Sequence, residues 1–264
     1  MHEIADIACN FTSDRFDNDL DEVIDRAIAN HITKFGLICS RLGDIDKLLE
    51  IYNRYSKNMF FTIGVHPHHA NEINAEYLKK LKEVINKNNP HAIGETGLDF
   101  FRNLSTYEEQ MYAFEEQIKI AIDTNKPLFL HQRDSHEDFI KILRKYSSDI
   151  SKAVVHCFTG TQSQLDDYLE LDCYIGVTGW ICDEKRNVEL RKTIKNIPLS
   201  KLMIETDCPY LIPKNLLDKP KNNRNEPSYL NHIVTEISTL LDTDEEDIRN
   251  ESFKNTLSFF QSVN

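Results

Sequence analysis

Residues 91–95 read HAIGE, and three more runs of the same form follow: PLFLH at 127–131, KAVVH at 152–156 and LMIETD at 202–207. Each is an apolar stretch of strand length and composition that closes on a side chain able to hold a metal ion. Those side chains are Glu95, His131, His156 and Asp207. One such coincidence carries little weight, because a lone histidine at a strand end is more often a hydrogen-bonded core residue. Four of them predict parallel strands whose C-terminal tips converge on one metal-assisted hydrolytic site.

Outward from these runs, strand-like segments are expected at 4–8, 35–40, 59–65, 92–95, 128–131, 153–156, 173–177 and 202–206. Helix-like segments alternate with them at 20–30, 45–55, 75–87, 106–124, 136–146, 162–171, 188–195 and 229–241. The clearest is 106–124, with acidic residues at its positive dipole end and Met111, Phe114, Ile118 and Ile122 at helical spacing. A last amphipathic stretch is expected to start from an N-cap at Thr243 and to run through Phe260. Eight strand–helix repeats without a linker-like break predict an α/β fold: a single-domain (β/α)8 TIM-type barrel over 1–264 with an extra C-terminal helix. The competing doubly wound sheet requires a glycine-rich turn after the first strand, and no such turn follows Ala8.

Composition bounds the function. The chain has 264 residues, 40% hydrophobic and 28% charged, as expected for a soluble protein with a sizeable core. No apolar run is long enough for a transmembrane helix, and the first residues lack the pattern of a secretory signal. Six scattered cysteines without a CxxC pair fit reduced thiols, so the expected location is the cytoplasm, or the nucleus if the source is eukaryotic. A net charge of −12 argues against loose coating of DNA. It leaves room for a local phosphate site, because a bound cation reverses the potential in one cleft.

Around the four tips, His66 in GVHPHH is expected to face the pole as a phosphate donor or acid, with His68 and His69 on the rim. Asp99, Arg102, Arg133 and Asp134 are also on that side, and the two arginines are natural forks for phosphate. Strand alternation puts Glu205 on the same inward face as Asp207, as a support for the site. Trp180 is read as a roof over the barrel rather than a base-stacking residue. The loop 209–227 is locally basic through Lys214, Lys219, Lys221 and Arg224.

Taken together, DIACNFTSDRF (6–16), GVHPH (64–68), AIGETGLDFFRN (92–103), STYEEQ (105–110), LHQRD (130–134), HCFTG (156–160), YIGVTGWICDE (174–184), IETDCPYL (204–211) and RNEPSYL (224–230) resemble the TatD family of metal-dependent deoxyribonucleases. The family belongs with the amidohydrolase-like barrels. The likeness runs nearly end to end, and the first motif and TGWICDE are similar to the family's eponymous member rather than its wider relatives. The resemblance implies a nuclease that cleaves DNA, commonly from the 3′ end, in DNA repair or DNA degradation. It implies metal ligation by Glu95, His131, His156 and Asp207, with Mg, Mn or Zn as the divalent ion. Glu95 would bridge two ions, the histidines would hold one, and Asp207 would help to hold the other.

Many relatives open with an HxH pair, where this chain has Ala8 and Asn10. Alanine cannot coordinate and asparagine is a weak oxygen ligand. One firm metal site is therefore expected, with a second that is weak or dependent on substrate. The expected chemistry is phosphodiester hydrolysis on a DNA substrate by a monomer. Asp207 orients or deprotonates the attacking water, and Glu95 and His66 stand beside it at the reacting phosphate. Arg133 and Arg102 meet phosphate charge, and Glu205 and Asn10 act from behind. Two alternatives share these residues: an ester or amide hydrolase such as a D-aminoacyl-tRNA deacylase, and a metal-depleted barrel without catalysis.

Overall fold

A computed structural model of the chain describes residues 2–261. All six residues of β1 (Ile4–Cys9) are buried. Apolar residues also dominate β3 (Met59–Ile63), β6 (Ala153–Val155), β7 (Tyr174–Val177) and β8 (Leu202–Ile204), whereas β2 (Ile32–Leu37), β4 (Ala92–Asp99) and β5 (Leu128–Arg133) carry polar residues beside an apolar stretch. Continuous apolar runs of this kind mark parallel strands covered on both faces. The eight strands pair in parallel in sequence order. Cys9 bridges Cys208 just beyond β8, and Asn10 N–H donates to the Cys208 carbonyl at 2.8 Å, so the last strand returns to the first.

Between and after the strands lie α1 (Leu20–Ala29), α2 (Ile45–Tyr55), α3 (Ala75–Asn88), α4 (Tyr107–Asp123), α5 (His136–Tyr146), α6 (Gln162–Glu170), α7 (Val188–Thr193), α8 (Leu230–Leu241) and α9 (Glu245–Phe260). Thr106 and Glu109 form a capping box at the start of α4, and Thr161 and Gln164 form another at α6. Inside the barrel, Ile7, Phe60, Ala92, Phe129, Val154 and Met203 form one apolar plug with Phe259 and Phe260 of α9. Phe260 stacks on Phe60 at 4.8 Å between ring centroids. The extra C-terminal helix thus closes one end of the barrel interior and leaves the other for polar side chains.

The structure differs from the sequence reading at several boundaries. β2 begins at Ile32 rather than 35, because Ile32 and half-exposed Lys34 pair with Ile4 and Ala5 of β1 despite the polar stretch. It ends at Leu37, so 38–40 are outside the ladder. α9 is capped by Asp244, whose side chain accepts from Glu246 N–H, and not by Thr243. β4 runs four residues past Glu95 and β5 two past His131. This extension carries the register Gly97–His131, Leu98–Gln132 and Asp99–Arg133. It needs Gly97, whose φ is +146° and where a Cβ would lie 1.9 Å from the His131 carbonyl oxygen. All six cysteines are free.

A carboxylate and imidazole cluster at the mouth of the barrel

Glu95 lies within β4, held by its backbone N–H to the Cys39 carbonyl at 3.0 Å. One of its carboxylate oxygens, Oε1, meets three imidazoles: His156 Nε2 at 2.8 Å, His131 Nδ1 at 2.9 Å and His66 Nε2 at 3.3 Å. The outer nitrogens continue the row. His156 Nδ1 lies 3.5 Å from Glu205 Oε2, and His131 Nε2 lies 3.4 Å from Asp99 Oδ2, which His68 Nε2 also reaches at 2.7 Å. Carboxylates and imidazoles therefore alternate from Glu205 through His156, Glu95, His131 and Asp99 to His68.

This alternation sets the electrostatics. Burial opposes charge on Glu95, but His156, His66 and His131 overcome it and hold the carboxyl well below its ordinary range. Burial likewise opposes charge on His156 and His131. The carboxylates on either side win at both, raising His156 well above 6.5 and His131 in the same direction. At Asp99 burial is outweighed by the facing imidazoles of His131 and His68, and the carboxyl is held below the usual range. His66 is different: burial pushes it down to about 4, so its ring is neutral. Its Nδ1 accepts from His68 N–H at 3.1 Å, which places the proton on Nε2, facing Glu95.

Asp207 stands apart from the row. Its Oδ1 accepts from Asn10 Nδ2 at 2.9 Å, and the same amide donates to the Cys208 carbonyl at 3.1 Å. Burial raises its carboxyl to about 7. β8 stops at Ile204, and Asp207 takes a left-handed backbone with φ +54°. The strand alternation expected to align Glu205 with Asp207 therefore does not extend that far. Glu205 is fully buried and accepts from Cys157 N–H at 2.5 Å, behind His156, while Asp207 lines the open cleft. Cys157 is also left-handed, at φ +50°. Such geometry costs a non-glycine residue about 1–3 kcal/mol and often lies at functional sites.

The cleft above the cluster has a volume of about 1410 Å3 and is bordered by Asn10, His66, Arg102, Arg133, Trp180 and Tyr210, among others. Arg102 is exposed at its rim. Arg133 is exposed too, and its guanidinium lies over the Phe101 ring at 3.9 Å. Trp180 is partly buried against the core. His69 is turned away to Glu72 at 3.1 Å, as expected of a rim residue. His68 is not a bystander on the rim, because the turn after Pro67 swings it onto Asp99. In the loop 209–227, Arg224 is largely buried and forks onto Asp19 at 2.7 and 2.6 Å, which cancels part of the expected basic character.

Two positioning residues escaped the sequence reading. Gln117 of α4 accepts from Val65 N–H at 2.7 Å and donates to Val65 O and Thr96 Oγ1, fixing the segment that leads to His66. One heptad earlier, Gln110 accepts from Asp99 N–H at 2.8 Å and donates to Asp99 O and Ser105 O. Both glutamines are buried. Their signal was present in the sequence: polar residues on the helix face shared with Phe114 and Ile118.

The cluster suits a divalent cation. His131 Nδ1 and His156 Nε2 both face Glu95 Oε1, while their other ring nitrogens look outward to Asp99 and Glu205 at 3.4 and 3.5 Å. Imidazole nitrogen with carboxylate oxygen is a donor set for Zn or Mn and, with water, for Mg. His66, Glu95 and His131 also have ligand atoms close enough to share one ion.

Comparison with known proteins identifies the family. A family model, TatD related DNase, matches residues 5–261. A protein of Pantoea ananatis named 3′-5′ ssDNA/RNA exonuclease TatD is 40% identical over 238 residues, covering 88% of this chain and 90% of that one. A protein of the same name from Erwinia amylovora is 38% identical over 255 residues, covering 97% and 98%. Among solved structures, a hydrolase of the TatD family from Entamoeba histolytica superposes with a TM-score of 0.88 at 30% identity, covering 98% of each chain.

Proposed function

We propose, from the premise that this chain belongs to the TatD related DNase family, that it is a divalent-metal-dependent exonuclease. Its substrate on this reading is single-stranded DNA or RNA, shortened from the 3′ end, as the names of its relatives suggest. The observation that carries the reading is the convergence of three imidazoles on one oxygen of Glu95 at the floor of a wide cleft. Glu95, His131 and His156 would hold the ion, with Asp207 nearby at the cleft. Mg, Mn or Zn would serve; a second ion would bind weakly, because Ala8 offers no donor and Asn10 only a weak amide oxygen. When bound, such an ion polarises a phosphoryl oxygen and acidifies neighbouring water.

The protein's own groups supply the rest. Asp207, raised to about 7 by burial, is matched to taking the proton from the attacking water near neutral pH. The water oxygen adds to phosphorus, the bridging P–O bond to the departing alcohol breaks, and a proton returns to that oxygen. His66 is neutral, so its Nε2–H, directed at Glu95, would meet a phosphate oxygen only by leaving that carboxylate to the ion, and would do so without adding charge. Arg133 and Arg102 meet phosphates along the rim. Glu205 and Asn10 orient His156 and Asp207.

We read residues 1–264 as one hydrolase domain, monomeric and cytoplasmic, or nuclear in a eukaryote, with DNA repair or degradation as the setting. Among the described residues no helix is long and apolar enough to cross a membrane. The test is a 5′-labelled single-stranded oligonucleotide incubated with purified protein and Mg2+ or Mn2+. A ladder shortening from the 3′ end, absent with Glu95→Ala, is expected. An intact oligonucleotide, or equal cleavage by the variant, overturns the reading; release of an amino acid from charged tRNA with DNA untouched favours the deacylase.

A further inference from the structure

We infer that Phe101 and Arg133 form a stacking platform for a nucleobase beside the scissile phosphate. The inference rests on the nuclease reading and goes beyond it by naming what selects an unpaired strand. Phe101 is a large apolar side chain left 56% exposed at the rim of the cleft that holds Glu95. The Arg133 guanidinium covers its ring at 3.9 Å. Among the described residues Arg133 has no carboxylate partner, so its charge is available to phosphate. A phenyl ring and a guanidinium plane already in contact offer a flat face, and both surfaces stack nucleobases.

The pair is built into the fold at a fixed offset from the reacting centre. Asp99 and Arg133 are register partners on β4 and β5, and Phe100 N–H donates to the Arg133 carbonyl at 2.9 Å. Asp99 Oδ1 accepts the N–H groups of Phe101 at 3.1 Å and Arg102 at 2.8 Å, which pins the turn that displays the ring. The other oxygen of the same carboxylate faces His131 and His68. Along β5, Arg133 follows His131 by two residues. The platform and the cluster are therefore positioned by the same few atoms.

A base inside a duplex has both faces covered by its neighbours, and a terminal one is still paired and stacked on its inner side, so neither can swing onto this surface without disrupting the helix. An unpaired base can. The pair thus supplies a physical reason for acting on single strands that the metal cluster alone does not give.

The test uses single-stranded oligonucleotides with 2-aminopurine at the terminal or penultimate position, in cleavable and phosphorothioate forms, with Mg2+ present. With one of the two probes, binding to the wild-type protein is expected to quench 2-aminopurine, and Phe101→Ala to abolish the quench. Phe101→Ala should raise KM about tenfold with kcat nearly unchanged, and Phe101→Trp should restore it. On an oligonucleotide abasic at the same position, the wild type and Phe101→Ala should have equal KM. Cleavage by the wild type with KM and quench indifferent to Phe101→Ala overturns the platform alone. An equal rise in KM on the abasic substrate does the same, since it marks a structural role. A wild-type protein that neither cleaves nor binds the oligonucleotide overturns the nuclease reading and the platform together.

Discussion

Asn10 stands where the HxH pair of many relatives would place a histidine, and here its amide binds Asp207. The bond, at 2.9 Å, fixes a carboxylate that would otherwise turn freely above the cleft. Asn10→Ala should lower kcat roughly tenfold while KM and the melting temperature stay nearly constant, because an orienting partner is lost and little else. Asp207→Asn, which removes the proton acceptor, should cost about a hundredfold in kcat. Steady-state kinetics on one oligonucleotide compares the two; an Asn10→Ala enzyme with unchanged kcat contradicts the positioning role. At this scale the sequence was informative where a side chain ended an apolar run, as Glu95, His131 and His156 do. It was less so for His68, whose approach to Asp99 depends on the path of the turn after Pro67 and on a strand extension four residues long.

At the scale of elements, α4 acts as a splint for the loops at the mouth of the barrel. Gln110 and Gln117 satisfy backbone groups of Asp99 and Val65 that have no strand partner there. Gln117→Ala should destabilise the protein by ~1–3 kcal/mol, since buried backbone donors and acceptors lose their only partners. Urea denaturation reads the loss, and a shift within error of zero would show that the loop holds itself. The alternation of strands and helices was legible because buried parallel strands and amphipathic helices differ in period. Strand ends were not. Where β4 stops depends on Gly97, whose missing Cβ lets β5 approach, and on the register shift between Ile93 and Thr96, neither of which leaves a hydrophobic pattern. The start of β2 is hidden because polar Thr33 and Lys34 interrupt the apolar run, although Lys34 pairs with Ala5 through the backbone.

For the molecule as a whole, the loop after β8 is strapped to α1 by ionic forks. Arg26 grips Glu226 at 2.9 and 2.8 Å, and Arg224 grips Asp19. Burial raises Glu226, but the Arg26 hydrogen bonds outweigh it and hold the carboxyl below 4.5; the bond to Arg224 holds Asp19 below 3.8. Both groups bind a proton less readily folded than unfolded. Their contribution is therefore complete above about pH 4.5 and is lost as the pH falls below that value through the depressed folded values. Glu226→Gln should lower the urea midpoint at pH 7 and flatten its decline between pH 5 and 3; a decline as steep as in the wild type removes the strap from the account. The fold class could be inferred from the order of elements, while these long-range pairs, about 200 residues apart, could not.

The central claim is that Glu95, His131 and His156 share one divalent ion. Anomalous scattering from crystals grown with Mn2+ tests it most directly. The account predicts a single strong peak in contact with those three side chains, lost in Glu95→Ala. A strong peak at the buried Asp6, Cys9 and Cys208 group, whose ligand atoms are also mutually close, with none beside Glu95, would contradict it.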